Sequence, residues 1–289
     1  MRDAIRSATD QLAAAGVDSP EHDAKALALH VLGLAKPSDL LLADGFDSDQ
    51  AAAYVELVER RAQRVPLQHL TGGVGFRYIE LEVGPGVFVP RPETESVVQW
   101  AVDAIAAEGW TSPLLADLCT GSGTIAFALA NEVPGATVHA VERDAGALVW
   151  TRRNAANRVA AGDPEVQLHL GSVEESLLDL DGHFDLIASN PPYVATHEAH
   201  LPDPEVVDHD PEIALFAGED GLDVVRLVEQ AARRLLKPGG LVVVEHSDRQ
   251  GESAPAVFAE AGWLEVQDHQ DLTGRDRFVT ARLPRKGQA

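Results

Sequence analysis

Apolar and polar positions along the chain fall into three successive textures. Over the first 65 or so residues the apolar positions keep helical spacing, as in Ala24, Leu27, Ala28, Val31 and Leu32, which run up to Gly33. Ser19-Pro20 just before them pairs an N-cap residue with a proline at the first helical position. A second helix is predicted from about Ser48 through Tyr54, Val55, Leu57 and Val58 to Arg64, where Val65-Pro66 stops it. From Thr71 to Pro92 the texture turns to glycine, proline and β-formers. Phe76, Tyr78, Ile79, Leu81 and Val83 precede Gly84-Pro85-Gly86, and Val87-Phe88-Val89 follows, so a short hairpin is expected around the Gly-Pro-Gly break.

Beyond it strands alternate with helices. Leu114–Leu118, Ala136–Glu142, Val166–Leu170, Phe184–Ser189 and Leu241–Glu245 read as buried strands. Helices are expected over Ile125–Asn131, about Ala145–Val159 and Leu222–Leu236, the last ending at a Lys237-Pro238-Gly239-Gly240 turn. This rhythm predicts an α/β domain: a mostly parallel sheet with helices on both faces and a ligand site at the carboxyl ends of the strands.

Composition narrows the function. With 23 Lys+Arg against 46 Asp+Glu, the 289-residue chain carries a formal charge of −23, which disfavours general binding to phosphate backbones. The 45% apolar fraction is enough for a core. No run reaches the roughly 18 apolar residues of a membrane span, and Met1-Arg2-Asp3-Ala4-Ile5-Arg6 lacks a secretory pattern, so a cytoplasmic protein is expected. Cys119 is the only cysteine, which excludes an intrachain disulfide and fits a reducing compartment.

Two motifs carry chemistry. Asp117-Leu118-Cys119-Thr120-Gly121-Ser122-Gly123 ends a strand in an acid and enters a helix through glycines, where backbone N–H groups meet a ligand closely. Gly121-Ser122-Gly123-Thr124-Ile125-Ala126 also satisfies the pattern of dinucleotide enzymes, and Glu142, about 20 residues on, is placed for ribose hydroxyls in either case. The pair indicates an adenosine-bearing cofactor without saying which. The second motif, Asn190-Pro191-Pro192-Tyr193, follows the strand Phe184–Ser189 directly. The Asn190 side-chain carbonyl and the Pro191 main-chain carbonyl are two acceptors held in place by consecutive prolines, and Tyr193 adds an aromatic face. Such a constellation suits a planar –NH₂ group and turns its nitrogen lone pair toward whatever lies at the strand ends.

Together, the Asp-x-x-Thr-Gly-x-Gly loop, Glu142 and the Asn-Pro-Pro-Tyr tetrad resemble the amino-group methyltransferases that use S-adenosylmethionine. With Pro90-Arg91-Pro92-Glu93-Thr94-Glu95, Pro66–Gly72, Pro211–Phe216 and Glu245-His246, the chain resembles the release factor glutamine methyltransferases, the PrmC/HemK family, over nearly its whole length. The resemblance implies a Rossmann-like methyltransferase domain over 90–289, a hairpin linker over 71–89 and a helical, partner-binding domain over 1–70. It implies methylation of the glutamine side-chain amide in the Gly-Gly-Gln loop of class 1 peptide chain release factors, with S-adenosylhomocysteine as by-product and no metal. Asp117 and the loop Cys119, Thr120, Gly121, Ser122 and Gly123 would then bind the cofactor's methionine part, Glu142 its ribose, and Ser172 and Val173 its adenine. Asn190 would border cofactor and substrate. Asn190, Pro191, Pro192 and Tyr193 would grip the glutamine, with Asn190, Pro191 and Tyr193 catalytic. Arg91 and Glu93, on the substrate side, read either as a pair that orders the entry to the active site or as a plain surface ion pair.

Cys119 stands where the family usually has glycine and Ser172 where it commonly has an acid. The same tetrad serves a ribosomal-protein glutamine or an exocyclic amine of DNA or RNA, while an NAD-dependent oxidoreductase or a non-catalytic cofactor-binding module would leave it idle. His197, His200 and His209 in an acidic loop read as solvated in preference to metal-ligating, and Cys119 as a cofactor-lining residue in preference to a nucleophile. The Arg60, Arg61, Arg64 and Arg152, Arg153, Arg158 groups read as solvated helix faces.

Overall fold

The computed structural model describes residues 1–200, 204–285 and 287, arranged in two compact units. The first holds Met1–Gly73, Val83–Pro85 and the segment up to His209 that includes the short helix Pro204–His209. Its helices are α1 (Arg2–Ala14), α2 (Pro20–Leu32), α3 (Ser48–Ala62) and α4 (Leu67–Thr71). Pro20 opens α2, and Gly33 closes it in the left-handed region at φ 65°. Asp47 caps α3 by accepting from the Asp49 and Gln50 amides, and the Gln50 side chain reaches back to the Asp47 amide. Leu12, Ala24, Leu27, Ala28, Tyr54 and Val58 form the core, and the Tyr54 hydroxyl donates to the Ala24 carbonyl at 2.9 Å. Arg61 is not the solvated residue expected. It is buried, with Nε 2.7 Å from Asp23 and Nη1 2.9 Å from Glu205 of the short helix. Arg64 grips the other Glu205 oxygen at 2.5 Å.

The second unit opens with a two-stranded sheet, β1 (Gly73–Phe76, whose first residue belongs to the first unit) and β2 (Ile79–Glu82). Its turn is Arg77-Tyr78 and not Gly84-Pro85-Gly86, and Val87–Val89 forms no strand. Arg77 takes a left-handed φ of 50° there and is held by the Glu132 carboxylate at 2.6 Å, a long-range partner that local turn rules cannot reveal. The domain continues as α5 (Thr94–Glu108), β3 (Leu114–Leu118), α6 (Thr124–Glu132), β4 (Thr137–Glu142), α7 (Ala145–Ala160), β5 (Gln167–Leu170), β6 (Phe184–Ser189), α8 (Asp223–Leu235), β7 (Leu236–Glu245), α9 (Ser253–Glu260), β8 (Leu264–Gln270) and β9 (Asp276–Arg282). Strand order in the seven-stranded sheet is β5-β4-β3-β6-β7-β9-β8; β3 to β7 pair in parallel, and β9 is antiparallel to both β7 and β8. Lys237–Gly240 lies inside β7, at a register irregularity opposite Phe184 and Leu186, and does not form a turn before it.

Alternate residues of the central strands feed two separate cores. Leu115, Leu186 and Val243 pack with Val97, Val98, Ile125 and Leu129 of α5 and α6. Ala116, Ile187 and Val244 pack with Val225, Val228, Ala232 and Phe258 of α8 and α9. Burial on both faces is why these strands read as unbroken apolar runs. The sheet is doubly wound and Rossmann-like. Strand order reverses between β3 and β6, so their carboxyl ends open the crevice where such sheets bind ligands. Among the described residues no helix is long and apolar enough to cross a membrane.

Candidate active site

β3 delivers Asp117 to the crevice and buries it, 1% exposed. Its Oδ2 accepts from the Thr120 hydroxyl at 2.5 Å and the Ala126 amide at 3.1 Å, while buried Oδ1 has no partner. Burial pushes this carboxyl up to about 7, against the pull of those two donors. Between Asp117 and α6 the backbone enters the left-handed region three times, at Cys119 (φ 63°), Gly121 (φ 57°) and Gly123 (φ 91°). A Cβ on Gly123 would run into the Phe127 ring, so only glycine fits. Cys119 does occupy the backbone region that glycine favours, at a cost of roughly 1–2 kcal/mol. Burial, then the Glu142 and Asp117 carboxylates, push its thiol upward.

The loop is held from behind by α7. The Thr151 hydroxyl donates to the Gly121 carbonyl at 2.6 Å and Asn154 Nδ2 to the Ser122 carbonyl at 2.9 Å. Glu142 closes β4 with both oxygens on backbone amides, Oε2 on Gly121 at 2.9 Å and Oε1 on Asp144 at 2.8 Å. Each oxygen keeps a lone pair for a further donor. Burial raises this carboxyl too. The Gly171 amide binds the Glu142 carbonyl at 2.9 Å, which places Ser172 and buried Val173 after the neighbouring strand end. Ser172 Oγ accepts from the Glu175 amide at 3.3 Å.

Register brings the two motifs together. Leu118 of β3 pairs with Ser189 of β6, and the Ser189 hydroxyl donates to the Leu118 carbonyl at 2.6 Å. Cys119 and Asn190 therefore leave adjacent strands side by side. Asn190 Nδ2 donates to Thr94 Oγ1 at 3.2 Å, and the buried Pro191 follows. The Tyr193 hydroxyl donates to Glu245 Oε1 at 3.3 Å, and Gln250 Nε2 holds the Tyr193 carbonyl at 3.1 Å. Arg91 and Glu93 do not form the expected pair. Arg91 instead bonds Asp210 at 3.0 Å and lies over the Phe88 ring, and Glu93 stands at the N-cap of α5. Asp210 is the stronger partner because its side chain is fully buried and needs a cation. His197 Nδ1 is 3.1 Å from the Glu219 carbonyl.

Two residues at this site carried no sequence assignment. Thr94 lies inside Pro90–Glu95, quoted above for its resemblance alone, and Glu245 ends β7 beside the tetrad. An acid closing a buried strand at the ligand end of the sheet is a signal that finds Glu245. Nothing local singles out Thr94.

Glu245 is 1% exposed and burial pushes it, like Asp117, up to about 7. Unfolding drops both toward ordinary carboxylate values near 4, so between about pH 4 and pH 7 the folded chain holds more protons than the unfolded one. Their contribution to stability falls as pH rises through that window and is level above it. Glu245→Gln is expected to flatten the decline of melting temperature between pH 5 and pH 8; an unchanged slope would show that Glu245 ionises normally.

Comparison with known proteins sets the chain among the methyltransferases. Residues 3–72 match the family model described as the PrmC N-terminal domain, and residues 85–203 the methyltransferase small domain. The chain is 53% identical to the release factor glutamine methyltransferase of Streptomyces coelicolor, over 96% of each chain. It is 46% identical to that of Mycolicibacterium smegmatis, over 97% of each. The chain belongs to the release factor glutamine methyltransferase family. Membership makes it a methyltransferase, and the fold agrees. A methyltransferase from Pyrococcus furiosus superposes with a TM-score of 0.51 at 16% identity, covering 71% of this chain and 88% of that one.

Proposed function

We propose that the enzyme transfers a methyl group from S-adenosylmethionine to the side-chain amide nitrogen of the glutamine in the Gly-Gly-Gln loop of class 1 peptide chain release factors. The supporting observation is the strand-end register that sets Asn190-Pro191 next to the glycine loop in a chain related to release factor glutamine methyltransferases along its length.

The residues present fit the cofactor. Asp117 Oδ1 is a buried acceptor without a partner, suited to the cationic methionine part, and the loop from Cys119 to Gly123 lines the same end of β3. Glu142 keeps lone pairs for ribose hydroxyls, and Ser172 offers adenine a neutral hydrogen bond in place of a charged one. When bound, S-adenosylmethionine supplies a methyl group made electrophilic by its sulfonium.

The protein's own part is to make an amide nitrogen nucleophilic. A free amide delocalises its nitrogen lone pair into the carbonyl. Acceptance of both N–H bonds, by Asn190 Oδ1 and the Pro191 carbonyl, draws density back to nitrogen and fixes its direction. The nitrogen gains the methyl and then releases one proton, so no side chain has to deprotonate the amide beforehand. Tyr193, anchored through its hydroxyl to Glu245, flanks the amide. In this reading the helical unit meets the protein partner, and Arg91 and Glu93 border the acceptor's entry. The test is transfer of labelled methyl from S-adenosylmethionine to a purified release factor. Label is expected on the natural factor and not on one whose Gly-Gly-Gln glutamine is replaced by alanine; equal labelling of both would overturn the assignment.

A further inference from the structure

Consecutive prolines stiffen the tetrad only in part. They restrict the chain from Asn190 ψ to Pro192 φ and leave every torsion from Pro192 ψ onward to other groups. Tyr193, read above as flanking the acceptor amide, lies just beyond that limit. Its hydroxyl reaches Glu245 at 3.3 Å, which holds the far end of the ring. The near end, where the ring leaves the main chain, needs a separate hold.

Gln250 supplies it from the turn that follows β7. The residue is buried, and each end of its carboxamide is engaged. Nε2 donates to the Tyr193 carbonyl at 3.1 Å and to the Asp220 carbonyl at 3.2 Å, while Oε1 accepts from the Ser247 amide at 3.0 Å. Two of these backbone groups only accept and the third only donates, so the backbone itself dictates which end of the carboxamide faces which way. The Gln250 amide also donates to the Ser247 carbonyl at 2.9 Å, which closes the turn. Gly221, at φ 72°, lets the two carbonyls converge, because a Cβ there would run into the Tyr193 carbonyl oxygen and stand 2.8 Å from Gln250 Nε2. One residue on, the Val194 amide donates to the Leu215 carbonyl at 2.8 Å and the Ala217 amide to the Val194 carbonyl at 3.0 Å. Gln250 thus fastens two adjacent stretches of chain at the point where one of them leaves the tetrad.

We propose that Gln250 is a positioning residue for methyl transfer: its carboxamide sets the Tyr193 main chain and, through it, the approach of the Tyr193 ring to the methyl acceptor. The proposal rests on the reading above that the tetrad grips the acceptor amide. Gln250 acts through Tyr193, since its side-chain hydrogen bonds all end on main-chain groups. It shares no hydrogen bond with Glu142, Thr151 or Asn154, which support the glycine loop.

Two variants separate this role from packing. Gln250→Leu fills the space and removes the three side-chain hydrogen bonds. Gln250→Glu keeps the shape but turns an acceptor toward the two carbonyls unless the carboxyl carries a proton. With a release factor as substrate, Gln250→Leu is expected to lower kcat about 10-fold. The KM for S-adenosylmethionine and the affinity for S-adenosylhomocysteine are expected to stay within about 2-fold. Gln250→Glu is expected to be as slow at about pH 8.5 and to recover toward the natural enzyme as pH falls to about 6, where a protonated carboxyl regains one donor. Its rate is read as a ratio to the natural enzyme, which removes any titration the two share. For Gln250→Leu that ratio is expected to stay level. Natural kcat in Gln250→Leu, or a Gln250→Glu ratio that stays level or falls on acidification, would overturn the proposal.

A second measurement needs no substrate. The chain has three tyrosines, Tyr54, Tyr78 and Tyr193, so enzyme made with 3-fluorotyrosine carries fluorine at those sites alone, and the Tyr193 signal is assigned by its loss in Tyr193→Phe. At about pH 8.5 either Gln250 variant is expected to shift or broaden the Tyr193 signal and to leave those of Tyr54 and Tyr78 in place. A Tyr193 signal unchanged in both variants would show that Gln250 does not set the ring, and would overturn the proposal. Failure of the natural enzyme to methylate any release factor would defeat the substrate assignment, whereas the fluorine spectrum still reports on the link from Gln250 to Tyr193.

Discussion

Asn190→Ala is expected to lower the turnover of methyl transfer by roughly 100-fold or more, in the range found when one preorganised hydrogen-bond partner is removed from a reacting centre. The loss belongs in kcat. Asn190 enters the site from β6 through a side chain tied to Thr94, while the glycine loop is held by Thr151, Asn154 and Glu142. Those supports do not involve Asn190, so S-adenosylhomocysteine affinity by calorimetry is expected to change by no more than about 3-fold. Near-normal turnover would remove Asn190 from the mechanism. A parallel collapse of cofactor affinity would make it a wall of the cofactor pocket instead.

The second large effect lies in the helical unit. Arg61 is 7% exposed and joins two carboxylates, Asp23 at 2.7 Å and Glu205 at 2.9 Å, while also donating to the Val65 carbonyl at 3.2 Å. Arg61→Ala leaves Asp23, itself 5% exposed, without its guanidinium. Stranding one member of a buried pair costs about 3–5 kcal/mol, a large part of the roughly 5–15 kcal/mol that holds a domain folded. For a unit of this size the melting transition is expected to fall on the order of 10 °C or more. A shift under about 2 °C would mean that the pair is hydrated and exchangeable, as surface ion pairs are. Glu205 lies in the segment downstream of the tetrad, so the same variant also releases one hold on that segment.

How far these features could be read in advance follows from what each depends on. The strands β3, β4 and β6, the helix α7 and the glycine loop declare themselves locally, through apolar runs, N-caps and glycines with positive φ. That they lie parallel in one sheet follows from the alternation of strand and helix. The antiparallel pair β8 and β9 was not anticipated, because β8 is largely polar, as in Glu265, Gln267, Asp268 and His269, and its residues are half-buried or exposed. The hairpin turn was misplaced because Arg77 is stabilised by Glu132, 55 residues away. Arg61 looked solvated for a related reason. A charged residue on a helix reads as surface unless its partner is visible, and Glu205 lies 144 residues on.

The candidate site divides along the same line. Asp117, Glu142 and Asn190 to Tyr193 were legible because strand ends, acids and prolines constrain them within a few residues. Thr94 was not, since its place beside the tetrad comes from Asn190, 96 residues away. Arg91 was placed at the site but given the wrong carboxylate. Asp210, which it binds, is 119 residues distant and lies just past the segment that follows the tetrad.

The central claim is that the crevice between β3 and β6 methylates one glutamine amide of a protein. Its most direct test is fragmentation mass spectrometry of a class 1 release factor after incubation with the enzyme and S-adenosylmethionine. One added methyl group on the glutamine of the Gly-Gly-Gln loop, absent when Asn190→Ala replaces the enzyme, is the expected result. An unmodified factor, or a methyl group carried on any other residue, would contradict it.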